Sequence, residues 1–126
     1  MPCLAESSLL FKLSAIRNSS PVMIPQVNME NFEAIVDEHP LVILDFWAEW
    51  CQPCKTFAPI FEMMAELNPE ICFGKVDTEI AVDLAQAFLV RSIPTIMAFK
   101  NGDLIFEQAG LLPPEHFEAL IRRLKS

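Results

Sequence analysis

The segment "LVILDFW", residues 41–47, is apolar at odd and even positions alike, broken only by Asp45. Side chains of a strand alternate between its two faces, so a strand that is oily on both must be covered on both. The flanking patterns supply that cover. Met29, Phe32, Ile35 and Val36 recur at helical spacing behind Asn28, a candidate N-cap, and Pro40 stops the run. From Cys54 onward, Phe57, Ile60, Phe61, Met64 and Leu67 repeat with the same period, with a kink expected at Pro59. "TEIAVDLAQAF" (78–88) reads as a third helix with Ile80, Leu84, Ala87 and Phe88 inward. A fourth begins at Pro113 or Pro114 and turns Phe117, Leu120, Ile121 and Leu124 inward.

Further strands are expected at "VMIPQV" (22–27), "ICFGKVD" (71–77), "TIMAF" (95–99) and "LIFEQA" (104–109). "KNGD" joins the last two, and its Asn-Gly pair is a hairpin signal. Helices between strands predict parallel pairing, and the hairpin adds an antiparallel edge. The fold class that follows is α/β: a three-layer α/β/α sandwich around a central mixed sheet.

The formal charge of −8 disfavours a nucleic-acid partner, and no apolar run approaches the roughly 18–20 residues of a membrane span. The 126 residues suit one domain. Four cysteines, Cys3, Cys51, Cys54 and Cys72, are too few and too unevenly spaced for a secreted disulfide framework, and no secretory signal opens the chain. A cytoplasmic location is therefore expected. Leu9, Leu10, Leu13 and Ile16 could share a helical face beside Lys12 and Arg17, but Glu6 and the scarcity of basic residues argue against a transit peptide. The division expected is an N-terminal extension over 1–20 and one domain over 21–126.

The chemistry lies in "DFWAEWCQPCKTFAP", residues 45–59. With Cys51 ending the strand-to-helix turn and Cys54 in the first helical turn, the thiols face the same side within disulfide reach. Cys51 also sits where unpaired N–H groups and the helix dipole favour a thiolate. Pro53 suits the first turn, where its missing N–H is no loss. A zinc site would need four ligands, and His39, His116, Cys72 and Cys3 are scattered without ligand spacing, so no metal is expected. Cys72 reads as a small core residue of its strand.

"DFWAEWCQPCK" resembles the active-site segment of the thioredoxin family, whose usual form has glycine where Gln52 stands. The likeness continues in register through "KVD" (75–77), "VRSIPT" (90–95), "FKNGD" (99–103) and "AG" (109–110). The resemblance implies the thioredoxin fold, a nucleophilic Cys51, a resolving Cys54, and a cis-proline segment at Ile93-Pro94 packed opposite them. It also implies a client-binding lip of Trp50, Ile93, Pro94, Ala109 and Gly110, with ordinary packing as the plain alternative for Trp50 and Ile93. Asp45, expected to be buried with a raised pKa, becomes a proton acceptor and donor for Cys54, near Lys75; the rival reading is a structural aspartate paired with Lys75. Gln52 and Pro53 would tune the redox potential.

The function implied is protein-disulfide reduction through a Cys51–Cys54 cycle, contributing to cell redox homeostasis. No bound cofactor is implied; electrons would come from NADPH through thioredoxin reductase. Expected partners are that reductase and disulfide-containing client proteins, with the chain itself a monomer. The rival functions are a thiol oxidant or isomerase, and a non-catalytic binding or assembly module of the same fold.

Overall fold

Burial on both faces puts β1 (Leu41–Trp47) inside a four-stranded sheet, as its pattern requires. The computed structural model describes residues 23–126. The strand order is β2 (Cys72–Asp77), β1, β3 (Thr95–Lys100), β4 (Asp103–Ala109). Four helices complete the described residues: α1 (Phe32–Glu38), α2 (Gln52–Leu67), α3 (Val82–Ala87) and α4 (Pro114–Lys125). On one face Leu41, Ile43, Phe73 and Ile96 pack against α2 and α4, where the Phe61 and Phe117 rings stack at 6.0 Å. On the other, Val42, Leu44, Phe46 and Met97 meet Val36 of α1 and Leu84 of α3. The sandwich expected from β1 is therefore the one that forms.

Strand direction departs from expectation at β3. It runs antiparallel to β1, although a helix lies between β2 and β3. The intervening helix is short. Six-residue α3 spans about 9 Å along its axis, whereas a six-residue strand such as β2 spans about 20 Å. The chain does not return to the far end of the sheet, and β3 starts where β2 stops. The register agrees: Trp47 pairs with Asp77, and Phe46 with Thr95. One end of the sheet thus gathers the exits of β1 and β2 and the entry of β3.

The expected third helix is shorter than its pattern. Ile80 N and Ala81 N both donate to Asp77 O, and Thr78 donates to Trp47 O through N and Oγ1. Residues 78–81 tie the strand ends together instead of joining α3, leaving Ile80 81% exposed; Ala87 is exposed too, while Leu84 and Ala85 are buried. "VMIPQV" gives one parallel bridge, Gln26 to Lys75, rather than a strand, and Val22 lies outside the described residues. Pro25 can accept from Lys75 N at 3.0 Å but has no N–H to extend the ladder. Asn28 caps the turn before α1, accepting from Glu30 N and Asn31 N, while Asn31 flanks the helix itself. The hairpin forms as predicted: Asn101 (φ 52°) and Gly102 (φ 87°) make the type I′ turn. Helix α2 runs unbroken through Pro59, and α4 starts at Pro114. The extension expected over 1–20, with Cys3, lies outside the described residues.

Gly74 shows how tightly the bridge at residues 25–27 is laid on the sheet. A Cβ there would come within 2.7 Å of Val27 Cγ2 and 2.9 Å of Leu44 Cδ2. Gly74→Ala is expected to cost about 1–2 kcal/mol through overpacking, read as a lower midpoint with unchanged slope in denaturant melts.

Candidate active site

The chain leaves β1 through Trp47 and Ala48, and Cys51 N donates back to Ala48 O at 3.2 Å. Cys51 takes an extended conformation (φ −90°, ψ 110°) and is the N-cap of α2. Its sulfur accepts a hydrogen bond from Cys54 N at 3.2 Å, so one of the helix's unpaired amides points at the reactive atom. Pro53 occupies the first turn without leaving a donor orphaned. The Cα atoms of Cys51 and Cys54 are 5.2 Å apart and their side chains form a disulfide. Both cysteines are almost fully buried, in a cluster with Ala48, flanked by Trp47 and Ile93. Cys51 ends the strand-to-helix turn and Cys54 lies in the first helical turn, as expected; Cys72 is buried in β2.

Opposite the pair, the Ile93-Pro94 peptide bond is cis, and Ile93 O lies 3.8 Å from Cys51 Sγ. In the disulfide this is a van der Waals contact, because the sulfur carries no proton; reduction to a thiol supplies the donor. Pro94 O accepts from Gly110 N at 2.8 Å, and Ala109 pairs with Thr95 across the sheet. Ile93, Pro94, Ala109 and Gly110 are therefore held side by side at the end of the sheet where the cysteines sit. Gly110 has φ 102° and nothing within 4 Å of where a Cβ would stand, leaving open space for an approaching backbone.

Trp50 is 67% exposed, so it is not a packing residue of the interior. Its Nε1 donates to Glu79 Oε2 at 2.7 Å, a charge-assisted bond that ties the cysteine turn to the loop after β2. Glu79 carries no local sequence signal of this role. The two residues are 29 positions apart, and the only cue was that residue 79 follows the strand pairing with β1. Gln52 and Pro53 are exposed beside the cysteines.

Asp45 is wholly buried, and neither carboxylate oxygen has a hydrogen-bond partner among the described residues. It shares strand parity with Leu41 and Ile43, whose face packs against α2, the helix that carries Cys54. Burial pushes its pKa from the ordinary 3.8 up to about 7, with the charge of Lys75 pulling partly the other way. Lys75 is its register neighbour on β2, but its Nζ lies 5.0 Å over the Trp47 ring and no hydrogen bond joins the two. Among the described residues no group of three or more His, Cys, Asp or Glu side chains is arranged for a metal ion, and no helix is long and apolar enough to cross a membrane.

A thioredoxin family model matches residues 23–123. A Streptomyces coelicolor relative is 50% identical over 88 residues, covering 70% of this chain and 66% of that protein. Thioredoxin C-3 of Corynebacterium nephridii is 41% identical over 88 residues, covering 69% of this chain and 61% of that one. The chain thus spans less than two thirds of the length of these two curated relatives. Plasmodium falciparum thioredoxin superposes with a TM-score of 0.75 at 31% identity, over 79% of this chain and 98% of that structure. The buried Cys51–Cys54 pair capping α2, set against a cis proline, is the arrangement the matching segment carries, and the chain belongs to the thioredoxin family.

Proposed function

We propose that residues 21–126 form a thioredoxin domain that reduces disulfides of client proteins in the cytoplasm, drawing electrons from NADPH through thioredoxin reductase. The observation that carries this reading is the Cys51–Cys54 disulfide at the N-terminus of α2. In the reduced protein the Cys51 thiolate attacks one client sulfur, forming a mixed disulfide and expelling the other client sulfur as a thiolate. Cys54, deprotonated by Asp45, then attacks Cys51 Sγ. The second client thiol leaves, and the Cys51–Cys54 disulfide is restored. Two electrons and two protons pass to the client, and the reductase returns them. Trp50, Ile93, Pro94, Ala109 and Gly110 form the lip against which the client chain lies, and Gln52 and Pro53 adjust the redox poise.

The test is NADPH-coupled reduction of insulin with a thioredoxin reductase, together with the reduction potential. Steady turnover and a potential below about −220 mV support the reductase; a value between about −180 and −120 mV makes the domain an isomerase or oxidant. Gln52→Gly is expected to move the potential by at most about 30 mV, which is about 1.4 kcal/mol for a two-electron couple. Equilibration with a glutathione redox buffer measures both.

A further inference from the structure

Leu89 is held in a conformation that its own chemistry disfavours. Its φ is 56°, in the left-handed region where a side chain crowds the backbone and glycine does not. The surrounding backbone forms a closed helix cap, with Leu89 N donating to Gln86 O and Val90 N to Ala85 O, both at 3.0 Å. That cap uses main-chain atoms only, so glycine would serve it equally. Packing does not offset the strain either. Leu89 is 72% exposed, whereas Phe88, Val90 and Ile93 from the same loop pack inward against the core. The loop then leads to the active site: Ile93, four residues on, places its carbonyl 3.8 Å from Cys51 Sγ. Four residues span at most about 14 Å, so Leu89 lies within about five extended residues of the reacting sulfur.

We infer that Leu89 is a specificity-determining contact that takes an apolar side chain of the client polypeptide a few residues from the client's reacting cysteine. Strained residues cluster at active sites and ligand clamps, and an exposed leucine held by a rigid cap is a preformed apolar contact. A client chain is a better occupant than a second copy, because two copies each carrying a formal charge of −8 repel. The inference rests on the reductase reading above.

Disulfide-linked peptides in which one leucine, replaced by serine in the control, is walked from five residues before the cysteine to five after it test this. The reduced protein is mixed with each peptide by stopped flow. Wild type should favour leucine over serine about tenfold at one or two positions, the size expected for burying such a side chain. In Leu89→Gly and in Leu89→Asn, which tolerates the same backbone conformation, that ratio should fall below about twofold. Thermal melts establish that both variants are folded. A ratio that survives in both variants, or a wild type with no positional preference, overturns the inference. Failure of wild type to turn over insulin with NADPH and thioredoxin reductase would instead sink the reductase reading itself.

Discussion

Cys54→Ser is expected to lose turnover in the coupled insulin assay while accumulating mixed disulfides between Cys51 and its clients. The resolving thiol is one helical turn from Cys51, with Cα atoms 5.2 Å apart and a bonded partner geometry already in place. Well-oriented intramolecular groups act at effective concentrations on the order of 10⁵ M or more, so millimolar external thiol cannot replace Cys54, and the loss should exceed about 10³-fold. The first attack does not need Cys54 sulfur, so the adduct should still form. Non-reducing gels after incubation with a cell extract show it as bands that collapse on adding dithiothreitol. Cys51→Ser should abolish capture altogether. If Cys54→Ser traps no protein, or Cys51→Ser retains the biological activity, the domain acts as a binding module instead.

Much of this site was legible in the chain because its signals are local. The two cysteines, the proline between them and the strand before them all fall within residues 41–54, and local spacing decides where they sit relative to one helix N-terminus. The central strand was equally plain, since only a strand covered on both faces can be apolar at every position except Asp45. The Asn-Gly turn carried its own geometry. What could not be read depends on lengths and on distant partners. The direction of β3 has no local signal in the chain, and the apolar pattern overstated the length of α3 because Ile80 is apolar yet exposed. Asn28 has the chemistry of a cap, but the turn at residues 29–31 intervenes and moves the helix start to Phe32. The tie from Trp50 to Glu79 has no periodic or composition signature, because the sheet brings together residues that the sequence keeps apart. Leu89 follows a helix as glycine often does, and nothing about a leucine announces a positive φ.

Asp45 should reveal its role through two measurements on Asp45→Ala. If it manages the proton of Cys54, the first attack by Cys51 stays nearly intact and the resolving step slows. General-base help is commonly worth 10²–10⁴-fold, but a thiol is intrinsically reactive, so a loss of roughly tenfold is expected. Rapid mixing with a disulfide substrate separates the two steps. Stability should move the other way. The folded-state pKa of Asp45 is raised to about 7 from 3.8, chiefly by burial. Below the unfolded value the carboxyl is neutral in both states and carries no charge penalty. As pH climbs from about 4 to about 7, the unfolded chain releases its proton first, so the folded state of the wild type loses stability. At about 1.4 kcal/mol per pH unit this reaches about 4 kcal/mol, levelling off above the folded pKa. Alanine removes the penalty and gives back about 1 kcal/mol for the smaller buried volume, so Asp45→Ala should be more stable by about 3 kcal/mol at pH 8. Denaturant melts at pH 4.5 and pH 8 should show the gap between variant and wild type widening with pH. A variant with an unchanged resolving rate and lower stability at both values would make Asp45 a structural partner of Lys75, an outcome that the carboxylate oxygens, unpaired among the described residues, argue against.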